Sequence, residues 1–552
     1  MEERRLLLAV ALSLLVLTGY RLLFAPQPGP VTPPPREAPA SAPRAIAEAP
    51  PAPSPAPVVA VAPEADERER RVEVLGADMD LAFTNRGGRL VSWQLHRFKD
   101  SRGHPEEMVQ VAAEGPRPLD VETGDAELDR RLREGLYRSS TEALRLPASG
   151  EAELVLRFSD GELAVEKRLG FQAKGELVRV SVSVRRSGRE LPKRVLWGPG
   201  IGNPTAAEKE VQGYEPPQIV ALVDGRVERV PTAKIPEPRV LSSVSWVGVE
   251  SQYFAALWVP PAGSGAAEVR TAKLPSLEDG KPQVGPVAAL ELGVSDSPAL
   301  LYVGAKDHRG LGRLGHQLAR VVNIEGWTGP LVVPLMQLLH WVHGRVANYG
   351  WSIVVLTVLI NLAMGPLRHY SIANGLKMAK LAPEMKVIQE RYRKVPALDP
   401  KRQEMQKEVS ELYARHGMSM GTQMAVGCLP LLLTMPFLIA LYTVLKVTVE
   451  LRGAPFLWIP DLSHKDPLFV MPLLMGASMF LMQRMTPTTM DPAQQRVMMI
   501  MPLMFMAMFF AAPAGLNIYW LVSNLCSIVQ QGITMRLLKG KEATPGGPRK
   551  AR

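Results

Sequence analysis

The sequence predicts a multi-pass α-helical membrane protein, with an N-terminal anchor plus a five-helix core, that carries a large all-β sandwich outside the membrane. Three observations predict it. Apolar stretches near the ~20 residues that cross a bilayer recur after residue 348, separated by short polar loops. Between residues 66 and 320 the apolar side chains alternate with period two. Basic residues collect in the loops on one side of the apolar stretches.

Composition narrows the function classes. The 552 residues allow more than one folded unit, and the net charge of +10 comes from clusters beside the apolar stretches, which suits a membrane surface and no nucleic-acid substrate. Cys428 and Cys526 both lie in apolar runs, so the polar region has no disulfide framework. His96, His104, His308 and His316 show no metal spacing. His340 and His343 form a pair without a third ligand, so no metal and no cofactor are expected.

Residues 1–24 begin with Glu2, Glu3, Arg4 and Arg5 and continue as an apolar run, which reads as an uncleaved transmembrane anchor rather than a cleaved signal peptide. Residues 25–65 are a proline- and alanine-rich tether that cannot bury a core. Residues 66–320 read as one antiparallel sandwich, with clear alternation over Leu177–Val184 and a tight turn at Asn85–Gly88. Residues 325–346 read as an amphipathic helix lying along the outer interface.

Five spans follow, at 349–367, 426–447, 468–484, 497–512 and 516–535, with a basic tail at 536–552. Loop 368–425 carries eleven Lys and Arg residues, from Arg368 to Arg415. Loop 448–467 has Arg452 and Lys465 against Glu450, Asp461 and Asp466, so 368–425 belongs inside. Within it, Met385, Ile388 and Tyr392 share one face, and a second helix capped by Asp399, with Pro400 at its first position, presents Met405, Val409 and Leu412. This is a helical hairpin with basic outer faces. It either completes the fold or docks a ribosome, a targeting factor or acidic lipid.

The spans contain no Asp or Glu, which counts against an ion-coupled transporter. A membrane-anchored sugar-binding or sugar-modifying enzyme is a further alternative, motivated by the sandwich alone. Thr357, Asn361 and Arg368 share a face of the first core span; Asn517, Asn524 and Gln531 recur at seven-residue steps on the last, beside Trp520. Such amides serve as interhelical glue or as the lining of a wetted groove, and the two roles are compatible. Methionines crowd 471–482 and 498–508; thioethers suit surfaces that accept many shapes, and are also ordinary core or lipid-facing residues.

Several stretches resemble the YidC/Oxa/Alb family of membrane protein insertases: Asn348–Ile353, Gly427–Leu431 with Met435-Pro436, Val449–Arg452 with Ala454–Phe456, Pro487–Thr489 with Asp491-Pro492, and Tyr519–Gln531. Trp246–Pro260 and Leu301–Lys306 resemble the family's periplasmic domain. The resemblance implies a non-enzymatic insertase of the bacterial inner membrane, with both termini cytoplasmic and the β-supersandwich periplasmic. It implies nascent membrane proteins as substrates, work alone or beside the Sec translocon, and membrane lipids as surroundings. It implies a hydrophilic groove open to the cytoplasm and the lipid, here Thr357, Asn361, Arg368, Asn517, Trp520 and Asn524. It implies that the third and fifth spans of the whole chain form an apolar slide, here Met435, Leu438, Met501, Met504 and Met508. One departure stands out: where the family usually places a groove arginine, this chain has Asn361, and Arg368 lies about 10 Å further along the helix.

Overall fold

The computed structural model describes residues 62–543, less 101–102, 111–114, 173–176, 203, 205–208, 212–213, 275–282, 295–296, 325, 327, 393–394, 396–398, 417–434 and 487–491. The expected anchor, nearly all of the tether, the first part of the 426–447 span and the end of the basic tail lie outside the described residues.

Period-two alternation becomes sheet from Arg71 to Ala305. One sheet has five strands, in the order Pro105–Glu107, Arg89–Lys99, Met79–Thr84, Arg71–Leu75 and Ala143–Arg145; the other has 14. In Leu177–Arg186 the valines at 178, 180, 182 and 184 are buried while the residues between them face outward. Trp93 and Trp197 meet edge to face at 6.1 Å in a core to which both sheets contribute. Each fully buried Val, Leu or Phe there contributes about 1.5–3 kcal/mol over its exposed state.

Two features depart from the expected all-antiparallel sandwich. Arg71–Leu75 pairs in parallel with Ala143–Arg145. Helix α1 (Ala126–Glu134) interrupts the strands, because Asp125 caps it by accepting from the Glu127 and Leu128 amides. The Asn85–Gly88 turn does form; Gly87 and Gly88 take positive φ, and buried Lys167 donates to both of their carbonyls and to that of Leu119.

Helix α2 (His308–Leu314) follows the last strand and is capped by Asp307. Then come α3 (Gly329–Val346), α4 (Tyr349–Ala363), α5 (Gly365–Arg391), α6 (Lys401–Arg415), α7 (Met435–Val447), α8 (Val470–Met485), α9 (Pro492–Phe509) and α10 (Ala514–Ala543). The expected 349–367 span is not one straight helix: it stops at Ala363 and continues as α5 after a 58° bend. Gly365 and Pro366 explain the break, since proline has no N–H to donate and disfavours a helical residue before it. α5 then runs unbroken through Pro383, so the hairpin's first arm is continuous with the end of that helix. Among the described residues no single helix is long and apolar enough to cross a bilayer; the bent pair formed by α4 and α5 passes that test.

The hairpin packs Leu381 and Met385 of α5 on Leu412 and Tyr413 of α6. Pro400, rather than Asp399, occupies the cap position of α6, while the Asp399 carboxylate accepts from the Lys401 amide at 2.9 Å.

The segment from Thr448 to Asp466 ties the ends of four helices together. Phe456 fills the space above Gly350 so fully that a Cβ there would sit 2.1 Å from its ring. Asn348 caps α4 at the Trp351 amide and donates to the Pro455 carbonyl at 3.1 Å. The Ala514 and Gly515 amides at the start of α10 donate to the His464 and Leu462 carbonyls. Asp466 accepts from the Trp458 indole and from the Met471 amide in the first turn of α8. His340 of α3 lies 3.4 Å from Glu450.

Two outcomes are expected. Gly350→Val displaces the Phe456 ring and destabilises the protein by about 1–3 kcal/mol, read as a fall in the thermal midpoint of the purified protein. The second concerns pH. The Glu450 carboxylate holds the His340 imidazole above its usual value. Burial alone would raise the Glu450 carboxyl, but His340 keeps it below the usual range. A base with a raised folded pKa stabilises fully below its unfolded value of about 6.5, and that contribution fades as pH rises through the folded value. The acid's contribution fades as pH falls below about 4.5. Stability from this pair is therefore greatest between those limits, and His340→Gln should flatten the fall in thermal midpoint between about pH 6 and pH 8.

Candidate functional site

α10 is the axis of the helical bundle, with α4 and α5 on one side and α8 on the other. The first side carries the polar seam. Asn361, 3% exposed, donates from Nδ2 to the Thr357 carbonyl at 2.8 Å. It faces Ser523 of α10, whose Oγ lies 3.4 Å from Asn361 Oδ1. Thr357, fully buried, returns its own hydroxyl to the Ile353 carbonyl at 2.6 Å. One turn beyond Ser523, the Ser527 hydroxyl accepts from the Arg368 guanidinium. Gln530 donates from Nε2 to the Asn361 carbonyl at 2.9 Å, next to the bend between α4 and α5. Further along, His369 and Thr534 meet at 3.0 Å.

Thr357, Asn361 and Arg368 are thus brought to one seam. Among the described residues no carboxylate lies within ion-pair distance of Arg368. The Gln530 Oε1 oxygen is buried there without a partner among the described residues. The seam therefore offers free hydrogen-bonding capacity and one positive charge in a site with little water access.

Asn517, Asn524 and Trp520 go elsewhere. Asn524 donates to the Ser478 hydroxyl of α8 at 2.9 Å, and Gln531 to the Met485 carbonyl at 2.7 Å. Asn517, fully buried, donates to the Phe509 carbonyl at the end of α9. Trp520 packs its ring on Phe505 and Phe509. The reason is rotation: one residue turns a helix by about 100°, so the amides at 517, 524 and 531 face α8 and α9 while their neighbours face the seam. Ser523, Ser527 and Gln530 were missed in the sequence reading, although their i, i+4, i+7 spacing is the signal that finds them.

The methionines divide in the same way. Met501, Met504 and Met508 expose 40%, 64% and 47% of their surface on the outer side of α9, beside exposed Ile500 and Leu503. Met506 turns inward onto Gly476 of α8. Met435, at the first described turn of α7, is 41% exposed, while Leu438 packs against the bundle core. An apolar face of this size that no described residue covers belongs against an apolar surrounding or partner.

A globular β-sandwich joined to a bundle of apolar helices, with a polar inner seam and bare methionines on its rim, defines a cell-envelope protein with a membrane-directed helical part. The class narrows to a family on comparison. A family model described as "YidC periplasmic domain" matches residues 71–342, and one described as "60Kd inner membrane protein" matches residues 341–542. A membrane protein insertase YidC from Geobacter metallireducens is 33% identical over 98% of this chain and 100% of its own length. One from Maridesulfovibrio salexigens is 31% identical over 98% of this chain and 100% of its own. The crystal structure of an active YidC insertase with its first transmembrane domain resolved covers 86% of this chain at 17% identity, with a TM-score of 0.35. The chain belongs to the YidC family of membrane protein insertases.

The two faces of α10 separate experimentally. Asn524→Ala should lower stability by about 0.6–1.7 kcal/mol through loss of the Ser478 contact, and a double-mutant cycle with Ser478→Ala in thermal unfolding should recover that coupling. The same cycle between Asn524 and Asn361 should give no coupling.

Proposed function

We propose that this protein inserts newly made integral membrane proteins into the bacterial inner membrane and helps them fold. The observation that carries the reading is the seam of Asn361, Ser523, Ser527, Gln530 and Arg368, in a family whose relatives are called membrane protein insertases. A polar segment entering hydrocarbon loses its water hydrogen bonds, at several kcal/mol per unsatisfied group. Amides and hydroxyls along the seam replace those bonds in stages, so the barrier falls without covalent chemistry. No side chain acts as a nucleophile or a general acid. The apolar remainder of the segment leaves along the uncovered faces of Met435 on α7 and of Met501, Met504 and Met508 on α9.

The orientation is multi-pass. α4 with the start of α5, α7, α8, α9 and α10 cross the bilayer, and the anchor adds a sixth crossing. The basic 368–425 loop and the tail lie in the cytoplasm, and the sandwich lies in the periplasm. Exposed Trp341, Trp351 and Trp458 support this, because tryptophan belongs at a membrane–water interface and all three lie toward the sandwich side of the bundle. The hairpin and tail present their basic faces to a ribosome or a targeting factor, and the protein works alone or beside the Sec translocon.

Arg368 supplies the positive charge that the family places one helical segment deeper. Lying past the bend, it avoids the 2.5–3.5 kcal/mol or so that a mid-membrane arginine costs on insertion scales. It therefore selects acidic substrate segments at the cytoplasmic mouth of the groove.

Photocrosslinkers at positions 361 and 527 should capture a stalled nascent membrane protein well above the level from position 525, whose leucine faces outward. Equal capture from all three positions sinks the groove. Asn361→Leu should impair insertion while Asn361→Arg is tolerated. Arg368→Gln should slow insertion of a substrate with an acidic flank by about fivefold, equivalent to one hydrogen bond of about 1 kcal/mol, and leave its neutral counterpart unchanged.

A further inference from the structure

The Val449–Arg452 stretch is not used by the groove, yet it joins the helices to the sandwich. Val449 is 1% exposed, and its side chain belongs to the sandwich's own hydrophobic core. Three residues on, the Arg452 guanidinium lies 2.5 Å from the Glu106 carboxylate, with side chains only 7% and 4% exposed. It also lies 5.5 Å from the centre of the Phe254 ring. Glu106 stands on the edge strand of the five-stranded sheet and Phe254 on a strand of the 14-stranded sheet. Arg452 is thus seated where the two sheets meet.

The surrounding contacts have the character of a docked interface rather than a continuous core. Lys446 pairs with Glu215 at 2.7 Å, and Lys465 with Glu210 at 2.8 Å. In both pairs, as in Arg452–Glu106, the base belongs to the helical part and the acid to the sandwich. A polar cavity of about 200 Å³ lies between them, lined by Glu215, Lys306, Asn323, Thr328, Thr443 and Lys446. Charge complementarity of one sign on each side fixes register and orientation more than it adds affinity.

We propose that Val449 and Arg452 form a plug-and-clamp docking site that seats the sandwich in one orientation on the outer ends of the helices. Val449 is the apolar plug, and Arg452 is the clamp held by Glu106 and Phe254. The segment that carries them also holds the ends of α4, α8 and α10, so seating the sandwich and closing the outer end of the bundle are one event. This docking does not depend on what the groove binds. The sandwich is a fitted cap rather than a ball on a tether.

The test uses full-length protein in lipid nanodiscs with Cys428→Ala, Cys526→Ala and Val449→Cys, and measures labelling by a membrane-impermeant maleimide. The intact clamp should keep labelling slow. Glu106→Gln and Arg452→Ala should each speed it by about tenfold or more, because each breaks a buried ion pair. Exchanging the charges (Glu106→Arg with Arg452→Glu) should restore most of the protection. The fluorescence of the buried tryptophans Trp93, Trp197, Trp246 and Trp258 reports that the sandwich stays folded. Should Arg452→Ala alone lose that signal, Glu106→Gln decides. Fast labelling with the clamp intact, or unchanged labelling in Glu106→Gln with the sandwich folded, overturns the proposal.

Discussion

The helical part of this protein depends on α10 satisfying polar groups on two of its sides at once. Toward α8 and α9, Asn517, Asn524 and Gln531 each find a fixed carbonyl or hydroxyl and bind the bundle together. Toward α4 and α5, Ser523 lies 3.4 Å from Asn361 Oδ1, Ser527 accepts from Arg368 and Gln530 donates to the Asn361 carbonyl. Each side keeps one buried amide oxygen, Asn517 Oδ1 and Gln530 Oε1, without a partner among the described residues. In a low-dielectric interior such hydrogen-bonded networks rigidify the helices that share them. Rotation by one residue along a single helix separates its two polar sides.

The bend at Met364–Pro366 is the second determinant. It redirects the chain by 58° and lets α5 run on as the first arm of the basic hairpin. Arg368 lies just past the bend and Asn361 just before it. The positive charge therefore lies beyond the bend and the neutral amide before it.

At the opposite end the problem is closure. The segment from Thr448 to Asp466 contacts α3, α4, α8 and α10 and reaches into the sandwich through Val449 and Arg452. The ion pairs Lys446–Glu215, Arg452–Glu106 and Lys465–Glu210 span the contact between the helices and the sandwich.

Much of this was legible in the sequence. Alternation in Leu177–Arg186 determined a half-buried strand, because side chains on a strand must alternate between core and solvent. The basic 368–425 loop and its paired apolar faces determined a hairpin, and the spacing of Thr357, Asn361 and Arg368 placed them on one face. Family membership was legible in short stretches such as Val449–Phe456. Tertiary structure alone decided the parallel pairing of Arg71–Leu75 with Ala143–Arg145, since pairing partners distant in sequence leave no local signature. It alone assigned the two polar stripes of α10 to different neighbours: periodicity shows which residues share a face, and only packing shows what that face meets. The partners of Asn361 turned out to be Ser523 and Gln530 rather than the amides at 517 and 524, because helix–helix contact, not residue type, selects them.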